Sequence, residues 1–587
     1  MPNREKLRQT TVVIAFCIVQ FAMLWNAADE LSPNPDEFAH LVAGISYWQT
    51  GEANLYNVNP PLARLVAALP AMLSGVRVPQ LDIEVDRTTR REFDFGRRFI
   101  AENPQSAFSH LVNARRACLV FVVAGTVAVI LLAGLLVNFQ AGLVAGLIWA
   151  FNPITLGYSV QLGCDIPGAS MGAWALLGSA LVIEKPTLRN VFVAGVLLGL
   201  AIVTKSTWIV ATTLWPIGFL AIWGYVRMPG CDERFTKFAN MKAASLIGIV
   251  LLVLSTAVGI VLLAYRGQGV FTKLGDYTFV SATLSGDTLI GNRFRGSWAG
   301  ALPVPLPQAF IEGIDQQWED FDRPRWAFAF GTWKLGGWWW YYLAALCVKL
   351  PLGWIILLLA LLRHASRDPR LIAIGIVLPI FFIALVSAKT NMNEHSRYVW
   401  VILPMLAVMA SLTVAYSSAS FWRIVNFTLV SWIVCAGMFT YPFGIAYSNE
   451  IFGGPSRTSA HLAASNVDWI QGWVAARKWL KSNRNRALSI GIITPKWYPL
   501  SVVGIETVDD APLSDVTNFE PSVPILVMVC IHDRMEIERS NRTAFANAKK
   551  IETIAYCIEV YQFPFAERFR LQGAKRYRDT TGIDQEK

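Results

Sequence analysis

The stretch SPNPDEFAHLVAGISYWQTGE, residues 32–52, gathers two acids and a histidine directly after the first long apolar run of the chain. Asp36 and His40 are four residues apart and Glu37 and His40 three, so on a helix the three side chains share a face. Pro35 suits the first position of that helix and Asn34 suits its cap. A carboxylate placed there can act as a general base, provided it sits within hydrogen-bond reach of the proton it removes. The plainer reading is that acids in a first turn complement the helix dipole.

Further ionisable residues stand at the ends of other apolar runs. Asp165, in LGCDIPGAS, is either a functional acid at membrane depth or the cap of a helix that starts near Pro167. Lys205, in VTKST, interrupts an otherwise apolar hairpin, and His395 and Arg397, in NEHSRYVWVILP, precede a further run. Arg64 lies in NVNPPLARLVAALPAMLSG, residues 57–75, an apolar stretch too short and too broken to span easily. That stretch reads as a helix lying in the membrane interface, where Arg64 can meet a lipid phosphate. Each cation taken alone is explained by snorkelling, whereas two cations and an acid pair on one face are not. Cations in such a place suit an anionic headgroup.

The elements that must position these residues are membrane helices. The chain has 587 residues, 54% of them hydrophobic and only 16% charged, with a mean hydropathy of +0.42. Soluble domains carry about a quarter charged residues, so a polytopic membrane protein is expected. The 22 Trp and 29 Pro fit that class, with aromatic belts at the interfaces and Pro tolerated in spanning helices. Apolar runs fall at 11–28, 117–138, 142–157, 168–183, 191–203, 207–226, 243–263, 340–362, 371–388, 399–416 and 421–441, about eleven crossings. Arg4, Lys6 and Arg8 place the N-terminus in the cytoplasm, and the basic connections EKPTLRN, RMPGCDERFTKFANMK and RHASRDPR then fall on the same side. The first run is read as a retained anchor rather than a cleaved signal peptide. The opposite side receives the loops 29–116 and 264–339, the short segments YSVQLGCDIP and KTNMNEHSR, and the C-terminal tail. The formal net charge of +10 lies largely in short connections, where it sets orientation, and does not point to nucleic acid.

From residue 442 the composition changes. ALSIGII, VPILVMVCI and IAYCIEVYQF read as strands, and SNVDWIQGWVAARKWLKS and RSNRTAFANAKKI as amphipathic helices. The expected architecture is an all-α membrane domain over residues 1–441, with interfacial helices in the first outer loop, and a small α/β domain over 442–587. The eight Cys show no zinc spacing, and Cys530 and Cys557 are either a disulfide or two buried thiols.

Taken in order, PDEFAH, TGE, NPPL, CDIPGAS, TKST, GGWWWYYLAALCVKLPLGW, HSRYVWVILP, YSNEIFGGP and ASNVDWIQ resemble the bacterial polytopic GT-C glycosyltransferases that use a polyprenyl-phosphate-linked sugar. Relatives include protein O-mannosyltransferases and the aminoarabinose transferases of lipid A. The resemblance covers residues from about 30 to about 475. It implies a membrane glycosyltransferase of the cell envelope working on the extracytoplasmic face, with Asp36, Glu37 and Asp165 as catalytic acids. It also implies a polyprenyl-phosphate-linked sugar as donor and a protein, lipid or glycan as acceptor. Arg64, Lys205, His395 and Arg397 would bind the donor phosphate, with His40 and Asn59 in the substrate site. Two positions depart from the pattern. Asn59 stands before Pro60 where many relatives carry Lys, Glu-Lys or His, and Ile470 replaces the Gly of Asp-Trp-Gly-Gln. Some relatives bind a divalent metal with acids of the first loop. Asp36, His40 and Asp165 have no tight ligand spacing, so no cofactor is expected.

Two other classes compete. A transporter or flippase predicts inverted repeats and ionisable residues near mid-bilayer, and neither is seen in the sequence. A membrane-anchored binding protein with the tail as sensor leaves the outer-loop acids unexplained.

Overall fold

The structure, a computed structural model, describes residues 2–76, 78, 90–228, 232–286, 290–361, 368–388, 390–417, 419–483, 490–495, 498–508, 525–564 and 575–577. Eight of its helices are long and apolar enough to cross a membrane: Arg4–Ala27, Ala107–Leu136, Asp165–Glu184, Ser206–Tyr225, Ala243–Ala264, Pro369–Ser387, Ser396–Tyr416 and Ser420–Thr440. Two bent pairs and the shorter apolar helix Leu188–Thr204 account for the remaining apolar runs of the sequence. The protein is a multi-pass membrane protein.

The apolar runs at 142–157 and 340–362 form the bent pairs. Phe139–Phe151 turns by 57° into Pro153–Ser159, and Tyr341–Lys349 turns by 111° into Leu352–Ala360. Both breaks fall at a proline, which donates no backbone hydrogen bond and clashes with the preceding turn. Asn152 closes the first break: its side chain accepts from Thr155 N at 3.0 Å and donates to the Ile148 and Trp149 carbonyls.

Between the first two spans the chain folds into three helices, Pro35–Thr50, Leu62–Leu73 and Arg91–Glu102. Asn34 caps the first of them in a capping box with Glu37: Asp36 N donates to Asn34 Oδ1 at 2.8 Å, and Asn34 N to Glu37 Oε2 at 2.9 Å. The long loop after the span Ala243–Ala264 holds the helix Gln308–Asp322 and the hairpin Trp326–Ala329 with Thr332–Leu335.

Residues 444–466 form short 3-10 turns packed against the membrane helices. Lys349, fully buried, ties them down by donating to the carbonyls of Ile445 and Asn466, each at 2.6 Å. Beyond them the tail forms an α/β unit. Its sheet runs in the order Thr507–Val508, Lys575–Tyr577, Ile490–Ile493, Ile525–Cys530, Ile558–Phe563, Lys549–Ile554, with one parallel pair at Ile490–Ile493 and Ile525–Cys530. The first expected helix is present as Trp473–Ser482. The second is not where the sequence pattern put it. The helix is Ile531–Ser540, directly after the central strand, and the expected segment supplies turns and the edge strand Lys549–Ile554. Asn541 accepts from Thr543 N and leaves the helix in an extended conformation, a local alternative to helical hydrogen bonding. Cys530 and Cys557 are two free, buried thiols.

Candidate active site

A cavity of about 860 Å³ lies where the loop between the first two spans, the ends of several spans and the C-terminal tail meet. Its walls include Asp36, His40, Asn59, Asp165, Lys205, His395 and Arg397, seven of the nine residues singled out in the sequence. The spans deliver them at their ends. Asp165 opens the helix Asp165–Glu184, Lys205 ends Leu188–Thr204 as its cap, and Arg397 lies in the first turn of Ser396–Tyr416.

The charges interlock. Arg397 Nη1 donates to Asp36 Oδ2 at 2.9 Å and stands 3.9 Å from Asp165 Oδ2. Lys205 Nζ donates to Asp165 Oδ1 at 2.5 Å. Arg397 is held flat over the Trp469 ring, 4.2 Å from its centroid. Arg397 Nε is buried and has no hydrogen-bond partner among the described residues. Lys205 is positioned by a close approach: a Cβ on Gly168 would lie 2.7 Å from Lys205 Cβ. Beside it Trp208 Nε1 donates to the Gly168 carbonyl at 2.8 Å.

Burial favours the neutral form of Asp36, but Arg397, His40 and Arg90 outweigh it and hold the carboxyl below the ordinary range. His40 packs its ring 4.7 Å from that of Tyr56. Burial above all, then Arg64 and Arg397, against Asp36 and Asp165, lowers its pKa to about 4. It is therefore a neutral imidazole near pH 7. His395 is likewise kept neutral by burial and by Arg397, and its Nδ1 shares a hydrogen bond of 2.9 Å with Ser465 Oγ. Asn59 accepts from Cys164 Sγ and donates to the Tyr56 hydroxyl, both at 3.1 Å.

Glu37 and Arg64 do not line this cavity. Glu37 is fully buried; it accepts from Arg115 Nε at 2.7 Å and Nη2 at 2.5 Å, from Leu162 N at 2.7 Å and from Asn34 N. Arg115 also donates to the carbonyls of Ala28, Leu31 and Ser32. With its acceptor positions taken, Glu37 clamps the end of the first span to the second and has no free lone pair directed at a substrate. Arg64 is buried with its guanidinium 5.1 Å from the Tyr56 centroid.

The cavity also has walls that the sequence reading left without a role. Arg90 bridges Glu92 at 2.5 Å and Asp320 at 2.7 Å. Glu394, just before the span Ser396–Tyr416, lines the cavity, and Asp468, His532 and Asp533 line it from the tail. Burial raises the pKa of Glu394 and of Asp468; for Asp533, burial and then Asp468 and Glu536 raise it to about 8. Two signals were available for these residues. Asp468 and Trp469 lie in the quoted ASNVDWIQ, and His532 and Asp533 follow a strand read as buried, at its carboxyl end, where open α/β sheets place ligand sites.

Ile470 explains one departure noted above. Its φ is +66°, a left-handed conformation that a β-branched residue rarely adopts and that Gly adopts freely. Asp468 Oδ1 holds the turn by accepting from Ile470 N at 2.8 Å. Among the described residues no cluster of three or more His, Cys, Asp or Glu has the geometry to hold a metal ion. Asp36 and Asp165 have basic side chains as partners instead.

Residues 107–260, which include Asp165 and Lys205, match the family described as dolichyl-phosphate-mannose-protein mannosyltransferase. The matched residues are about a quarter of the 587-residue chain. No curated protein matches the full sequence. Among solved structures it is similar to ArnT from Cupriavidus metallidurans bound to undecaprenyl phosphate, at 12% identity and a TM-score of 0.46, over 94% of this chain and 98% of that one. It is also similar to the oligosaccharyltransferase AglB from Archaeoglobus fulgidus in complex with an inhibitory peptide and a dolichol-phosphate, at 11% identity and a TM-score of 0.43, over 92% and 71%. A third is the arabinofuranosyltransferase AftD from Mycobacteria, at 12% and 0.35, over 94% and 40%. At these scores the structural likenesses decide nothing about substrate.

Proposed function

We propose that the protein transfers a sugar from a polyprenyl-phosphate-linked donor to a hydroxyl or amine of an acceptor, on the extracytoplasmic face of the plasma membrane and without a metal. The observation that carries this reading is the pairing of two acids with two cations, Asp36 with Arg397 and Asp165 with Lys205, inside one cavity at the ends of the spans. Sugar transfer from a lipid phosphate needs both charges at once. The leaving phosphate gains negative charge, which Arg397 and Lys205 stabilise, at about 3 kcal/mol per well-placed donor. The acceptor loses a proton, which Asp36 takes. Asp165 holds Lys205 in place. Ile209, Val210, Leu385 and Val386 give the same cavity an apolar wall for the first isoprene units. The remaining wall, with Asp468, His532 and Asp533, faces the acceptor, so the tail from about residue 442 works as part of the site. Ionisable residues gathered at span ends, rather than along mid-bilayer, favour an enzyme over a transporter.

The test is incubation of the purified protein with labelled polyprenyl-phosphate sugars and membrane extract, following where the label goes. Transfer by the wild type and none by Asp36→Asn supports the reading; label left on the lipid in both overturns it.

A further inference from the structure

Asp36 and Arg397 are each other's partner in a site that is meant to receive a phosphate and an acceptor. We propose that Asp36 occupies the donor phosphate's place on Arg397, so that donor binding displaces it and thereby frees the base. The inference rests on the reading of the cavity as a lipid-phosphate site and concerns the order of events within it.

Geometry carries the argument. Arg397 meets Asp36 through Nη1 alone, at 2.9 Å, and the same nitrogen is 3.9 Å from Asp165. Its buried Nε is left without a partner among the described residues. The fork is thus half used. The guanidinium also lies over the Trp469 ring, 4.2 Å from its centroid, a cation–π contact that helps hold it in the site. A phosphate whose non-bridging oxygens take Nη1 together with a second nitrogen of the guanidinium makes two parallel bonds, a stronger arrangement than the single bond to Asp36 that it replaces. Asp165, by contrast, keeps Lys205 at 2.5 Å whatever happens at Arg397.

The consequence for Asp36 follows from what faces it. Arg397 and Arg90 lower its affinity for a proton, and the neutral Tyr56 and Cys164 stand close by. Paired with Arg397, Asp36 is a weak base. Once a phosphate draws on Arg397 and adds its own negative charge, the proton affinity of Asp36 rises. In the reaction the acceptor's O–H or N–H proton passes to Asp36. The acceptor oxygen or nitrogen bonds to the anomeric carbon as the bond from that carbon to the phosphate oxygen breaks. The electron pair leaves on the polyprenyl phosphate, beside Arg397 and Lys205. Without donor, base and cation neutralise each other, so the acceptor is not deprotonated prematurely. Binding is ordered, donor first.

The experiment uses the full-length protein in detergent with undecaprenyl phosphate as the only ligand. Dissociation constants are measured for the wild type, Asp36→Asn, Arg397→Met and the double variant, with Asp36→Ala standing in should Asn fail to fold. Removal of an intramolecular competitor is expected to tighten binding about tenfold in Asp36→Asn, with no gain when the same change is made in Arg397→Met. Calorimetry in two buffers of different ionisation heat should show more proton uptake by the wild type than by Asp36→Asn. Equal or weaker binding by Asp36→Asn overturns the inference whatever the proton count, and so does an equal gain in the Arg397→Met background. Binding by none of the four overturns the donor reading itself, which distinguishes the two failures.

Discussion

The two sides of the cavity treat their acids differently. On the side of the spans, Asp36 and Asp165 are each paired with a cation, at 2.9 and 2.5 Å. On the side of the tail, burial raises the proton affinity of Asp468 and Asp533, and that of Asp533 reaches a pKa of about 8, with no cation within salt-bridge distance of either among the described residues. Asp468 spends its oxygens on the backbone N–H groups of Ile470 and His532. Paired acids hold cations ready for an anionic ligand. Acids without a cationic partner offer hydrogen bonds to hydroxyls or, once ionised, a counter-charge to an amine. One cavity thus presents one chemistry toward a lipid phosphate and another toward an acceptor.

The comparison is broken most severely by Asp36→Asn. Loss of a general base costs about 100- to 10,000-fold in rate, whereas a mere helix-dipole role costs about 1 kcal/mol of stability or less. Initial rates of label transfer, read beside a thermal unfolding curve, separate the two. Glu37→Gln should do the reverse. Breaking a fully buried pair with Arg115 costs about 3–5 kcal/mol, so the variant should unfold at much lower temperature in detergent. If instead it folds normally with its transfer rate abolished, Glu37 belongs to the chemistry.

Arg397→Lys keeps the charge but loses the fork and the stacking on Trp469. Transfer at low donor concentration should fall by about 10- to 100-fold, with a smaller effect at saturating donor. Full turnover at low donor would reduce Arg397 to a snorkelling cation. Gly168→Ala should act more gently by pressing on the stem of Lys205, lowering kcat/KM by about tenfold or less through displacement of a phosphate ligand.

Asp533→Asn sharpens the other side. The pKa of Asp533 is raised to about 8, so the folded protein holds a proton that the unfolded chain gives up near pH 4. The wild type therefore loses stability as pH rises through this window and up to about 8. Asn cannot lose that proton, so the variant's unfolding midpoint should exceed the wild type's at pH 8 by a margin that shrinks toward pH 4. A margin that does not vary with pH would show that Asp533 is not the buried acid described.

Much of this was legible in the sequence, for identifiable reasons. Length and apolarity located the spans, because a bilayer leaves few alternatives for a run of about 20 apolar residues. The prolines that bend two of them gave no angle, since the size of a kink depends on what packs around it. Asp36, Asp165, Lys205 and Arg397 stood out because ionisable residues at span ends are costly without a use. Glu37 carried the same signal as its neighbour Asp36. Only the partner at Arg115, 78 residues away, distinguishes a clamp from a base. Arg64 is buried beside Tyr56 and does not line the cavity, and sequence spacing does not say whether a cation in an apolar stretch reaches a neighbouring cavity. His532 and Asp533 were overlooked because the helix that carries them, Ile531–Ser540, lies one segment earlier than its pattern suggested.

The most direct test of the central claim is a structure of the protein with undecaprenyl phosphate bound. The phosphate should sit within hydrogen-bond distance of both the Arg397 guanidinium and Lys205 Nζ, with Asp36 moved off Arg397 and the first isoprene units along Ile209, Val210, Leu385 and Val386. A phosphate bound outside this cavity, with the pair of Asp36 and Arg397 intact, would contradict it.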